Sequence, residues 1–94
     1  MELRFKPQFY RDYDSIRNHS VKVILARIIR QIEQSKQYSE IGELVVLREY
    51  ETRYKIRITV SKKDDYRIGF EIKNGVIWAE RILRRPKFYR HYRR

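Results

Sequence analysis

The 94-residue chain has no cysteine, only three glycines and two prolines, and no long apolar run. Without cysteine there is neither a disulfide nor a thiolate-bound metal, so any metal would need histidine or carboxylate ligands. With little but Pro7, Pro86 and three glycines to punctuate the chain, the connections between elements should be short. No stretch approaches the roughly 20 apolar residues of a membrane-spanning helix. The first residues, Met1-Glu2-Leu3-Arg4-Phe5, lack the apolar segment of a secretory signal. That sets the expectation of a cytoplasmic protein. The length suits one small domain over residues 1–94, because a chain of this size buries only about 60–70% of the surface it exposes when unfolded.

Acid is scarce as well. Asp and Glu number 12 against 23 Lys and Arg, for a formal charge of +11 and a pI near 10.2. Disorder is one consequence of such charge, but 41% hydrophobic and 14% aromatic content supports a packed core. A folded domain this basic repels itself unless a polyanion neutralises it. Nucleic acid therefore leads as a partner, ahead of an anionic membrane surface or an acidic protein. Seven basic residues lie in 81–94 without one acid: Arg81, Arg84, Arg85, Lys87, Arg90, Arg93 and Arg94. A terminal charge run is ordinarily a solvated end. Here Phe88, Tyr89 and Tyr92 interleave with the cations, and stacking groups beside cations suit unstacked bases.

Hydrophobic period predicts an α+β fold, with an N-terminal strand and two helices packed on a small, mainly antiparallel sheet that ends in a basic segment. Glu2 to Phe5 reads as a strand ended by Pro7. Phe9, Tyr13 and Ile16 predict a short helix from about residue 8. Val21, Ile24, Leu25, Ile28, Ile29 and Ile32 make one helical stripe, capped by Ser20 or Asn18. Leu44 to Arg48 reads as a strand. Tyr54, Ile56, Ile58 and Val60 alternate with polar residues, as do Tyr66, Ile68, Phe70 and Ile72. Asn74-Gly75 signals a hairpin into a last strand from Val76 to about Leu83.

The alternation sends Lys55, Arg57 and Arg67 to the face opposite the core. Like charges side by side weaken a sheet, and on this register only Glu71 is near enough to neutralise them, so the cluster is a candidate anion site. The last strand has two registers. A two-residue loop pairs Lys73 with Val76 and puts Ile77 and Ala79 on the core. A three-residue loop with a glycine bulge pairs Phe70 with Trp78, buries Trp78 and sets Arg81 beside the cationic face. The second is preferred.

Four segments in this order resemble the RelE/ParE superfamily of bacterial and archaeal toxins, specifically RelE-like ribosome-dependent mRNA endonucleases. They are Tyr54-Lys55-Ile56-Arg57-Ile58, Asp65-Tyr66-Arg67-Ile68, Asn74-Gly75-Val76-Ile77 and Arg85-Pro86-Lys87-Phe88-Tyr89. Pro86 interrupts the last of these, the terminal Arg-x-x-x-Tyr, and Arg81, Arg84 and Arg85 all remain candidates for its arginine. The resemblance implies RNA cleavage without metal or cofactor, in which the target's 2′-OH attacks the adjacent phosphate in mRNA held at the ribosomal A site. It also implies an acidic antitoxin partner that wraps the helices or covers the cationic face.

On this reading the catalytic candidates are Lys55, Arg57, Arg67, Arg85 and Tyr89. Arg57 and Arg67 suit a phosphate clamp, because a guanidinium engages two oxygens at once. Lys55 is a further clamp or a proton carrier. Tyr89 stacks the splayed base or takes the 2′-OH proton. Arg81, Arg84, Lys87, Arg90, His91 and Tyr92 are the nucleic-acid-binding candidates, and His91 alone has an unperturbed pKa suited to proton transfer. Two alternatives stand beside the nuclease: a ParE-like gyrase inhibitor on the same fold, and a non-catalytic RNA- or ribosome-binding module.

Overall fold

The computed structural model describes residues 1–47, 50 and 52–93. The chain runs β1 (Glu2–Phe5), α1 (Pro7–Ser15), α2 (His19–Gln34), a 3-10 turn (Tyr38–Glu40), β2 (Val45–Val46), β3 (Arg53–Thr59), β4 (Asp65–Lys73), β5 (Val76–Arg84) and α3 (Arg85–His91). The strands form one sheet in the order β1-β5-β4-β3-β2. β1 lies parallel to β5, and every other pair is antiparallel. The α+β expectation holds.

Local chemistry sets the helix starts. Pro7 opens α1, where its missing N–H costs nothing. Asn18, not Ser20, caps α2: its Oδ1 accepts from the backbone N–H groups of Ser20 at 2.8 Å and Val21 at 3.2 Å. The α2 stripe buries Val21, Leu25 and Ile32 with Phe9 and Ile16 against the inner sheet face, which supplies Ile56, Ile58, Ile68, Phe70, Ile77, Ala79 and Ile82. Burying each large apolar side chain contributes roughly 1.5–3 kcal/mol, which offsets the poor helix propensity of so many isoleucines. The edge strand is shorter than expected, spanning Val45–Val46 only; Arg48 lies outside the described residues.

The preferred hairpin register is corrected. Lys73 pairs with Val76, Ile72 with Ile77, Glu71 with Trp78 and Phe70 with Ala79. Asn74 and Gly75 both take left-handed backbone, at φ 52° and 75°, which is the tight two-residue turn. Ile77 and Ala79 therefore face the core, and Trp78 lies on the other face with Arg4 over its ring. The strand's irregularity sits further along. Glu80 is an extra residue between Ala79 and Arg81, opposite Phe70 and Gly69, and this bulge returns Ile82 to the core.

The C-terminal segment is the second correction. Residues after Arg84 form α3, with Pro86 in its first turn, so Pro86 starts a helix instead of disturbing one. Phe88 and Tyr92 are buried and form a second small core with Leu47 and Leu83 on the outer face of the sheet. Of the three tail aromatics only Tyr89 stays exposed. Tyr92 is thus a packing residue rather than a stacking platform for bases.

Candidate active site

The outer sheet face and α3 enclose a cleft of about 460 Å³ lined by Glu43, Val45, Lys55, Arg57, Arg67 and Tyr89. Strand alternation sends Lys55 and Arg57 outward from β3 and Arg67 outward from β4, and the pairing sets Arg57 directly opposite Arg67. On α3, Arg85 and Tyr89 are four apart and so share one flank.

Tyr89 is the meeting point. Lys55 Nζ donates to its hydroxyl at 2.7 Å and lies 4.9 Å from its ring centroid. The Arg85 guanidinium stands 5.6 Å from the same ring. Burial works to raise the Tyr89 phenol. Hydrogen bonding to Lys55 and Arg67, with the charge of both, outweighs burial and holds the phenol below its ordinary value of 10.0. The site thus presents a phenol that ionises more easily than a free tyrosine, among cations of the kind that receive a phosphate.

Arg67, expected on an exposed sheet face, is instead buried. It is 5% exposed, and its Nη1 donates to Asp65 Oδ1 at 2.5 Å and to the Tyr66 carbonyl at 3.0 Å. Asp65 also accepts from Thr59 Oγ1 at 2.8 Å. Glu71, the expected neutraliser, instead pairs with Lys6 and Arg53 at 3.3 Å each. Sequence reasoning missed Asp65 although the signal was there, since residues two apart on a strand share a face. It also missed Glu43, which comes from the connection before a very short edge strand and carries no local mark of its place.

No family model matches the chain, and no curated protein matches it by sequence. The fold does match solved structures. A chain of the RelB–RelE antitoxin–toxin complex from Methanococcus jannaschii superposes with a TM-score of 0.77 at 20% identity, over 96% of this chain and 99% of that one. The chain has the RelE fold. The intact RelBE toxin–antitoxin complex of E. coli is similar too, with a TM-score of 0.66 at 15% identity, covering 88% of this chain and 94% of that chain.

Within this RelE fold the late arginines separate. Arg85 stands over the ring of Tyr89, which lines the cleft. Arg81 is tied to the buried Asp12 of α1, donating through Nε at 2.7 Å and Nη2 at 3.0 Å. It therefore lies away from the cationic face, contrary to expectation. Arg84 donates to the Lys63 carbonyl, lies 3.6 Å from Asp64 and covers the Tyr66 ring, so it pins the β3–β4 turn. His91 contacts Arg81 at 3.4 Å and does not line the cleft; burial and then the Arg81 charge lower its pKa. Arg84, Lys87 and Arg90 instead line a separate groove of about 330 Å³ with Ser15, Tyr66 and Pro86.

Proposed function

We propose that the chain is the toxin of a toxin–antitoxin pair and a ribosome-dependent mRNA endonuclease acting in the cytoplasm, where ribosomes present mRNA in the A site. One observation carries this reading: the Tyr89 hydroxyl is held by Lys55 in a cleft that also gathers Arg57, Arg67 and, over the same ring, Arg85. In this reading ionised Tyr89 takes the proton of the RNA 2′-OH. The 2′-oxygen attacks the adjacent phosphorus as the bond to the 5′-oxygen breaks, leaving a 2′,3′-cyclic phosphate and a 5′-oxygen that is then protonated. Arg57 and Arg67 stabilise the phosphorane-like charge. Lys55 keeps Tyr89 ionisable, and Arg85 orients it. Arg84, Lys87 and Arg90 hold the RNA backbone outside the cleft.

The two solved structures described above are antitoxin–toxin complexes. For this chain the corresponding partner is an acidic protein whose carboxylates cover the same cations. The test is purified protein on ribosomes programmed with a defined mRNA. Cuts within the A-site codon, with cyclic phosphate ends, support the reading. Intact mRNA with inhibited gyrase supercoiling favours the ParE-like alternative. Binding to ribosomes without cleavage favours the non-catalytic module.

A further inference from the structure

The outer sheet face has one position without a side chain, Gly69, in the interior of β4. A glycine inside a strand weakens it and often marks a close approach by another group. Here the group is Tyr92. A Cβ at position 69 would land on the Tyr92 hydroxyl and fall within 2.6 Å of Cζ and 2.8 Å of Cε2.

Tyr92 is fixed in that seat from several sides. Its ring centroid lies 4.5 Å from that of Phe88 and 6.1 Å from that of Tyr50, the latter edge-on. Its hydroxyl donates to Glu80 Oε1 at 3.2 Å, and its carbonyl accepts from the Tyr50 hydroxyl at 3.0 Å. Glu80 is itself set by Lys6 at 2.9 Å and Arg53 at 3.0 Å, and its place on this face comes from the β5 bulge. Burial and then the Glu80 charge push the Tyr92 phenol well above its ordinary 10.0, so the hydroxyl stays a donor.

α3 has seven residues, too few to be stable by itself, and its buried attachments are Phe88 within it and Tyr92 just after it. Tyr89 lies between these two anchors in the chain and is exposed. Where Tyr92 seats therefore sets where Tyr89 stands.

We propose that Tyr92 is a positioning residue whose seat on Gly69, with Glu80 as its stop, sets the Tyr89 hydroxyl against Lys55 and Arg67. The proposal rests on the reading of Tyr89 as the group that takes the 2′-OH proton. It also accounts for the glycine: any side chain at 69 lifts this end of α3. A shift of about 1 Å in a reacting group can cost about 10²-fold in rate.

The test uses the full chain with ¹³C at the tyrosine Cζ atoms, the Tyr89 resonance being assigned by its loss in Tyr89→Phe. In Gly69→Ala and in Tyr92→Leu, the Tyr89 titration should move back toward the ordinary 10.0. Cleavage kcat should fall about 10- to 100-fold with KM within about two-fold. Tyr92→Phe keeps the ring on Gly69 and should retain most of the wild-type kcat. Tyr92→Leu keeps an apolar contact with Phe88 and serves if Gly69→Ala does not fold. A purely structural role predicts lower stability with the Tyr89 titration and kcat of the folded variants unchanged, and that result would overturn the proposal. A wild-type protein that cleaves nothing, but whose Tyr89 titration still responds to residues 69 and 92, upholds the seat and sinks the cleavage reading.

Discussion

Arg57 and Arg67 stand directly opposite each other on β3 and β4, and of the two only Arg67 has a carboxylate within 4.0 Å among the described residues, Asp65 at 2.5 Å. Like charges facing across strands are destabilising, and on the proposed reading a phosphate bound between the two relieves that repulsion. The two arginines should consequently fail differently. Arg57→Ala removes an exposed cation and should lower cleavage by about 10²–10³-fold while changing stability by no more than about 0.5 kcal/mol. Arg67→Ala should lower cleavage too, and also cost about 1–3 kcal/mol because it strips the donor from a partly buried Asp65. Urea unfolding alongside the ribosome assay separates them. Equal stabilities would mean the Asp65 pair contributes nothing to folding.

Lys55 and Tyr89 set a pH dependence. On the proposed reading the working form of Tyr89 is the phenolate, and its pKa is held below 10.0. The single-turnover rate should therefore rise with pH and level off once the phenol has ionised. Removing the Lys55 cation raises the phenol again, so Lys55→Met should shift the rising limb to higher pH and slow cleavage at neutral pH. Tyr89→Phe should abolish the limb. A limb unmoved by Lys55→Met would exclude Tyr89 as the base.

Deleting residues 86–94 would be a poor test of the basic segment, because it also removes Phe88 and Tyr92 from the second core. The double variant Lys87→Ala/Arg90→Ala touches only exposed side chains. It should leave the fold intact and weaken RNA binding. It should also flatten the plot of log affinity against log salt by about 1.4, at about 0.7 for each single-strand phosphate contact. An unchanged slope would mean that these cations are merely solvated.

Acid should loosen the attachment of α3 to the sheet. Burial disfavours the charged forms of Glu80 and Asp65. Lys6 and Arg53 outweigh it at Glu80, and Arg67 with Thr59 outweighs it at Asp65, so both carboxyls are held below their ordinary 4.5 and 3.8. Each therefore adds stability that is complete above its ordinary value and is lost as the pH falls through the lower folded-state value. Glu80→Gln should lower stability at neutral pH and flatten the decline below about pH 4.5 in urea titrations. An unaltered acid limb would mean that Glu80 is not among the groups responsible.

The parts legible in the sequence were those that follow from local stereochemistry. A period of two on β3 and β4 puts Lys55, Arg57 and Arg67 on one face whatever packs above them, and a period of 3.6 gives α2 its buried stripe. Pro7 and Asn18 start their helices by backbone chemistry alone. The same rules were too weak at the C-terminus, where Phe88 and Tyr92 are, among the described residues, the only buried pair in and just after α3 and read equally well as exposed stacking groups.

Other features depended on groups far apart in the chain. Arg81 finds Asp12 across 69 residues, and Lys6 finds Glu80 across 74. No local period encodes such pairings; they exist because β1 docks beside β5 and carries α1 with it. The hairpin register turned on whether Asn74 and Gly75 both adopt left-handed backbone, and the bulge at Glu80 further along the strand is what keeps Ile82 in the core on that register. By itself, then, the sequence determined the fold class and which cations share a face, because those are consequences of backbone geometry. Only the tertiary structure decided which cations line the cleft and which are tied to a carboxylate, because that depends on the space left over Gly69 and on charges brought together from distant elements.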